Sequence, residues 1–270
     1  MMVINFLIIF FIFVSKAIAF QLPPQPFQEN STETAALIVH FNEGAGTVVK
    51  NYANTSDGTI SGNGVWVTGY MGGALNLGTA NGDRVEFGDI RGSDFSGNST
   101  FTYITIRRVY SETSAEWIDK GNSPAWNIRT FQVQAGDLVF QVDEAGTLTK
   151  WGTAGNFFSG RNLLNKWVCY ILVFVGDGAG RVTANRFRFY ANGERITWAL
   201  REGSEPRDFI RGGNNLVIGN VPGGGVANKC DCDIDSEGIY TMDMTGGTDA
   251  GARALTQKIM GDSELYTDLP

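Results

Sequence analysis

Short apolar runs, punctuated by glycine and asparagine, recur along most of the chain. Ala36-Leu37-Ile38-Val39-His40-Phe41 is almost continuously apolar, as a strand buried on both faces should be. Residues 101–106 and 138–142 read as further strands. Residues 167–175 are more apolar still, which predicts a mid-sheet strand with Trp167 in the core. Arg186-Phe187-Arg188-Phe189-Tyr190 alternates strictly, the mark of a strand with one wet and one dry face. It runs into Asn192-Gly193, a pair suited to a type I′ hairpin because both central residues of that turn need positive φ. Helical periodicity is confined to residues 248–260, with Thr248 or Asp249 as cap and Ala252, Leu255 and Ile259 as an apolar stripe. About a dozen strands are too many for one open sheet. The predicted fold is all-β, a two-sheet antiparallel β-sandwich with one short C-terminal helix.

The first apolar run is of a different kind. Residues 7–14 are followed by Ser15-Lys16-Ala17-Ile18-Ala19, a small-x-small pattern that suits a signal peptidase. Residues 1–19 are therefore expected to be a signal peptide, and 20–34 a Pro/Gln-rich tether. Residues 35–270 then form one domain. The run falls short of the roughly 20 apolar residues that span a bilayer, so a secreted protein without stable membrane insertion is expected.

Composition narrows the function classes. Glycine supplies 35 of 270 residues without a G-X-Y repeat, which fits many turns and excludes collagen. A net charge of −7 and the lack of a basic stripe argue against nucleic acid as a partner. In an exported protein Cys169 is free to pair with Cys230 or Cys232, whereas Cys230 and Cys232 lie too close for an easy link to each other. With His40 the only histidine, a structural zinc site is improbable. Asn30, Asn54 and Asn98 each head a glycosylation sequon.

Several segments, in order, resemble one family. His40-Phe41-Asn42-Glu43-Gly44-Ala45-Gly46-Thr47 is similar to the opening "F-x-E-G-x-G" of laminin-G-like, concanavalin A-like jelly rolls. Gly69-Tyr70-Met71-Gly72-Gly73-Ala74-Leu75-Asn76-Leu77 resembles that family's "G-x-x-G-x-A-L-x-F". Phe187-Arg188-Phe189-Tyr190-Ala191-Asn192-Gly193 resembles "l-r-l-Y-v-N-G", and Ile234-Asp235 with Tyr240 resembles the closing "I-D-e-v-r-i-Y". The resemblance implies a jelly roll of the lectin and glucanase type. It also implies a Ca²⁺ held by the side chain of Asp235 and carbonyls near Glu43 or Gly44, and clustered carboxylates are suitable hard ligands.

Three functions suit such a fold. The first is a secreted glycan-binding or adhesion module without catalysis, with Trp66, Trp126 and Trp151 as loop indoles able to stack on sugar rings or an extracellular protein surface. The second is a self-associating coat, fibre or matrix protein. The third is a glycoside hydrolase, for which strand alternation would place Asp231, Asp233, Asp235 and Glu237 on one face. Asp at the first position is too short to match the family's Glu, so no catalytic residue is assigned.

Overall fold

The computed structural model describes residues 35–53, 56–78, 83–90, 99–112, 115–120, 127–134, 136–144, 147–153, 155–178, 181–205, 207–208, 215–219 and 230–261. The expected signal peptide and tether, the three sequon asparagines and Trp126 lie outside these residues. The strands in chain order are β1 (Ala35–Val39), β2 (Val48–Val49), β3 (Gly58–Ser61), β4 (Val65–Thr68), β5 (Gly73–Leu77) and β6 (Arg84–Glu86). Next come β7 (Phe101–Val109), β8 (Ala115–Lys120), β9 (Asn127–Gln134), β10 (Asp137–Glu144) and β11 (Thr147–Gly152). A single helical turn, α1 (Phe157–Gly160), precedes β12 (Trp167–Phe174) and β13 (Arg181–Val182). The chain continues through β14 (Phe187–Ala191), β15 (Glu194–Ile196), β16 (Ala199–Glu202), β17 (Arg207–Asp208) and β18 (Leu216–Gly219). It closes with β19 (Cys232–Tyr240) and α2 (Asp249–Met260).

Two large antiparallel sheets result, as the hydrophobic pattern predicts. The first runs β15-β14-β12-β7-β19-β5-β4, with β1 paired to the second half of β19. The second runs β16-β11-β10-β9-β8-β18-β6-β3-β2. Between them Val168, Tyr170, Leu172 and Phe174 of β12 share one core with Ile118, Phe140 and Trp151. The alternate residues Cys169, Ile171 and Val173 point out of the sandwich and lie with Ala252, Ile259 and Met260 of α2. β12 is dry on both faces, which is why its sequence reads apolar without a break.

Local signals explain the connections. Asn192 and Gly193 adopt φ 47° and 77°, and the Asn192 side chain accepts the Cys169 N–H at 2.9 Å, fastening the hairpin to β12. Thr248 caps α2 by accepting the Gly251 N–H at 3.0 Å. Leu255 is only half buried, while Thr256 is buried and donates to the Ala252 carbonyl at 2.9 Å.

Three details differ from the sequence reading. β7 runs on to Val109, carrying Arg107 and Arg108 into the sheet. No periodicity announces α1, whose Phe157 and Phe158 are buried. The cysteines also pair otherwise: Cys230 and Cys232 bond to each other across a Cα separation of 5.4 Å, inside the range a disulfide spans. Cys169 is buried among the residues beneath α2, whereas the pair lies in the core between the sheets, so the first sheet itself separates them.

Candidate recognition face

The acidic run on β19 does not keep its alternation. Cys232 and Ile234 face the core, and so do Glu237 and Ile239, because the pairing of β19 with β7 shifts register between Ile234 and Ser236. This bulge adds one residue at Asp235 and reverses the parity after it. Asp233 consequently lies on the outer face and Glu237 inside the sandwich, fully buried against Arg107. The carboxylates expected on one face are divided between two, so this run does not form the acid and nucleophile pair of a retaining glycosidase.

Asp235 has a different task. Its Oδ2 accepts the Met71 N–H at 2.9 Å, and its Oδ1 accepts the Ser236 hydroxyl at 2.8 Å. It thereby caps the turn at 69–73, where a Cβ on Gly69 would strike the Gly73 carbonyl oxygen and the Asp235 carboxylate. Two segments of the family resemblance, far apart in sequence, thus meet in one contact. Burial raises the Asp235 carboxyl above the ordinary Asp value. Glu43 Oε1 accepts the Lys50 N–H at 2.7 Å. Calcium takes six or more oxygen ligands, roughly, without donor hydrogens aimed at them. Among the described residues no three His, Cys, Asp or Glu side chains gather in that way. Donors thus already occupy both oxygens of Asp235, whereas Glu43 Oε2 has no hydrogen-bond partner.

A row of side chains crosses the outer face of the first sheet. Register places Val65 of β4 opposite Asn76, Asn76 opposite Asp233, Asp233 opposite Arg108, and Arg108 opposite Trp167. Asp233 is at the centre. It accepts Asn76 Nδ2 at 2.5 Å, Arg108 Nε at 3.0 Å, a second nitrogen of Arg108, and the Tyr110 hydroxyl at 2.5 Å. The guanidinium carbon of Arg108 lies 4.9 Å from the Trp167 ring centroid and 5.4 Å from that of Tyr110. Burial disfavours the Arg108 cation, but Asp233 more than offsets this and raises its pKa. Burial, then the hydrogen bond and charge of Asp233, push the Tyr110 hydroxyl up to about 12. The result is a fixed, partly exposed platform of indole, guanidinium and phenol. Trp167, expected in the core, is only half-buried here, packed against the residues beneath α2.

The indoles proposed from sequence are placed differently. Trp151 is fully buried in β11, its ring 5.4 Å from Phe187, and its Nε1 donates to Glu205 at 2.5 Å. It is a core residue and not a loop indole. Trp66 is half buried on edge strand β4 and donates to the Gly46 carbonyl at 3.0 Å. A separate cleft of about 440 Å³ lies beside α1, with Phe157 and Ile196 as apolar lining and Thr153, Asn156, Arg161 and Thr197 as polar lining. His40 is buried, and desolvation lowers its pKa to about 4, so it is neutral near pH 7.

No protein-family model and no curated protein sequence matches the chain. Solved structures do match. The binding domain of Paraclostridial Mosquitocidal Protein 1 superposes with a TM-score of 0.61 at 14% identity, over 85% of this chain and 53% of that one. A botulinum neurotoxin DC binding domain, solved with rat synaptotagmin II, gives 0.60 at 13% identity, over 85% and 52%. A botulinum neurotoxin type C structure, whose description makes cell entry dependent on two ganglioside molecules, gives 0.59 at 13%, over 85% and 52%. The shared property is the β-sandwich. The chain spans about half the length of these solved chains.

Proposed function

We propose that this chain is a recognition module of an exported protein that holds a glycan or a protein surface and does no chemistry on it. The observation that carries the reading is the row from Val65 to Trp167. Its aromatic and guanidinium faces are held rigid by a carboxylate that already accepts four hydrogen bonds. Such a platform offers the flat CH face of a sugar, or an aromatic side chain, a partner that costs little side-chain entropy on binding. The neighbours are toxin binding domains, one solved with a protein receptor and one described with gangliosides, and they support the same broad class.

The test is a glycan array and a cell-surface binding assay on the purified chain and two sets of variants. Trp167→Ala should reduce binding at least tenfold or so, equivalent to about 1.4 kcal/mol. Asn156→Ala and Thr197→Ala, in the cleft, should leave it unchanged. The reverse result moves the site to the cleft and overturns the assignment to the sheet. Binding of neither a glycan nor a cell surface would sink the recognition reading as a whole.

A further inference from the structure

The edge strands of the two sheets are unequally protected. β15 carries Glu194 and Arg195, and β16 carries Arg201 and Glu202. β2 has only two residues, and Lys50 beside it is ion-paired to Asp57 at 3.2 Å. Charge and shortness both discourage an edge from pairing with another chain. β4 has neither protection by charge nor a proline: Val65-Trp66-Val67-Thr68 consists wholly of strong strand formers. Among the described residues no strand pairs with its outer side. Exposed apolar surface collects at the same margin. Val65 at 56% and Val48 at 55% are the two most exposed large apolar side chains among the described residues. The Trp66 Nε1 bond to the Gly46 carbonyl ties β4 to the segment leading into β2, so the two edge strands border one margin of the sandwich, with Val65 on the outer face of the first sheet and Val48 on that of the second.

We propose that β4 is a dimerisation edge that pairs antiparallel with β4 of a second copy of this chain. A two-fold axis through the Trp66 position sets Trp66 opposite the partner's Trp66 on the inner face, and Val65 opposite the partner's Val67 on the outer face. No charge meets a like charge across that seam. Two chains of net charge −7 repel wherever they meet, and a seam without charged side chains adds no close like-charge contact to that cost. The axis stands perpendicular to the sheet, so the two outer faces end on the same side and present two recognition rows on one continuous surface. A ligand with several copies of its epitope would then be held by both. The pairing itself does not depend on what the face binds.

Sedimentation equilibrium on the purified chain tests this across low to high micromolar concentration. The apparent mass should rise from one chain toward two. Val65→Lys and Val67→Lys should each weaken association at least tenfold or so, while Met242→Lys, at another exposed apolar residue, leaves it unchanged. Should the lysine variants fail to fold, an equal mixture of the single variants Val65→Cys and Val67→Cys gives a second readout, forming a covalent dimer on mild oxidation. A monomer at every concentration, a dimer indifferent to both lysines, or no cross-link in the mixture of folded cysteine variants overturns the proposal. Glycan binding that persists in monomeric Val67→Lys, which lies outside the recognition row, separates this result from the test of the recognition face.

Discussion

Two ion pairs join the same two strands, with their arginines adjacent in sequence and their surroundings opposite. Arg107 and Glu237 meet inside the sandwich, both side chains wholly buried. Arg108 and Asp233 meet on the outer face, where the Arg108 side chain keeps 31% of its exposure. In the inner pair the arginine also donates to Thr105 Oγ1 at 2.9 Å and to the Trp117 carbonyl at 2.9 Å, and its guanidinium lies 4.9 Å from the Trp117 ring centroid. Glu237 accepts Tyr103 and Thr105 hydroxyls at 3.1 and 3.3 Å through Oε1, while its Oε2 has no hydrogen-bond partner. Burial pushes the Glu237 carboxyl up, and Arg107 pulls it part of the way back. The inner pair organises the interior at the cost of desolvating two charges. The outer pair spends the same chemistry on fixing the shape of a surface. Which task each pair has is decided by the bulge at Asp235, not by residue type.

The comparison breaks most visibly if the inner pair is cut. Arg107→Met leaves Glu237 buried without a cation and should cost about 3–5 kcal/mol in urea unfolding. The double variant Arg107→Met/Glu237→Leu removes the charge with its partner and should recover most of that loss, since apolar replacement of a buried pair is often neutral or better. Equal losses in the single and double variants would mean that packing around Trp117, not charge, carries the energy.

The outer pair should behave differently. Arg108→Ala leaves Asp233 with Asn76 and Tyr110 as donors, and water reaches the gap. The expected loss of stability is smaller, about 1–2 kcal/mol. Ligand binding in the array assay should fall more than stability does, because Trp167 and Tyr110 lose the cation held close to both rings. A large loss of stability with binding intact would make this row a structural feature only.

Much of this molecule was legible in its sequence. The sandwich, the first strand (which ends at Val39, two residues before the predicted Phe41), the Asn192-Gly193 turn and the Thr248 cap follow from alternation and local propensity, and these act over a few residues. The site was less legible because it depends on parity and register. One inserted residue at Asp235 sends Glu237 inward, and no spacing rule reveals a bulge. In β11 the pattern misleads: Leu148 is only half-buried while Thr149 and Trp151 are buried, so Trp151 beside Gly152 read as a loop indole. Trp167 begins an apolar run whose outward members lie under α2, but it lies opposite Arg108 at the border of that cluster and is only half-buried. The cysteine pairing failed for the same reason, since alternation along β12 turns Cys169 away from the core that holds Cys230 and Cys232. The one available signal for the recognition face was Arg107-Arg108 inside an otherwise apolar strand: two adjacent arginines in a strand must face opposite ways, and each needs its own carboxylate.

The finest distinction between the two faces is a proton on Tyr110. Its hydroxyl donates to Asp233 at 2.5 Å, and ionising it would set two negative oxygens against each other in a partly desolvated place. The folded state therefore holds this proton until about pH 12, whereas an unfolded chain releases it near 10 or so. Stability contributed by this group is complete below the unfolded value and is lost as pH rises through the folded one. Tyrosinate absorbance of the wild type minus that of Tyr110→Phe isolates the step. Asp233→Asn should move the step downward by removing the charge that opposes ionisation, and Trp117→Phe, beside the inner pair, should not move it. A Tyr110 that ionises at its ordinary value in the folded protein would show that Asp233 does not hold it, and the platform would lose one of its three fixed members.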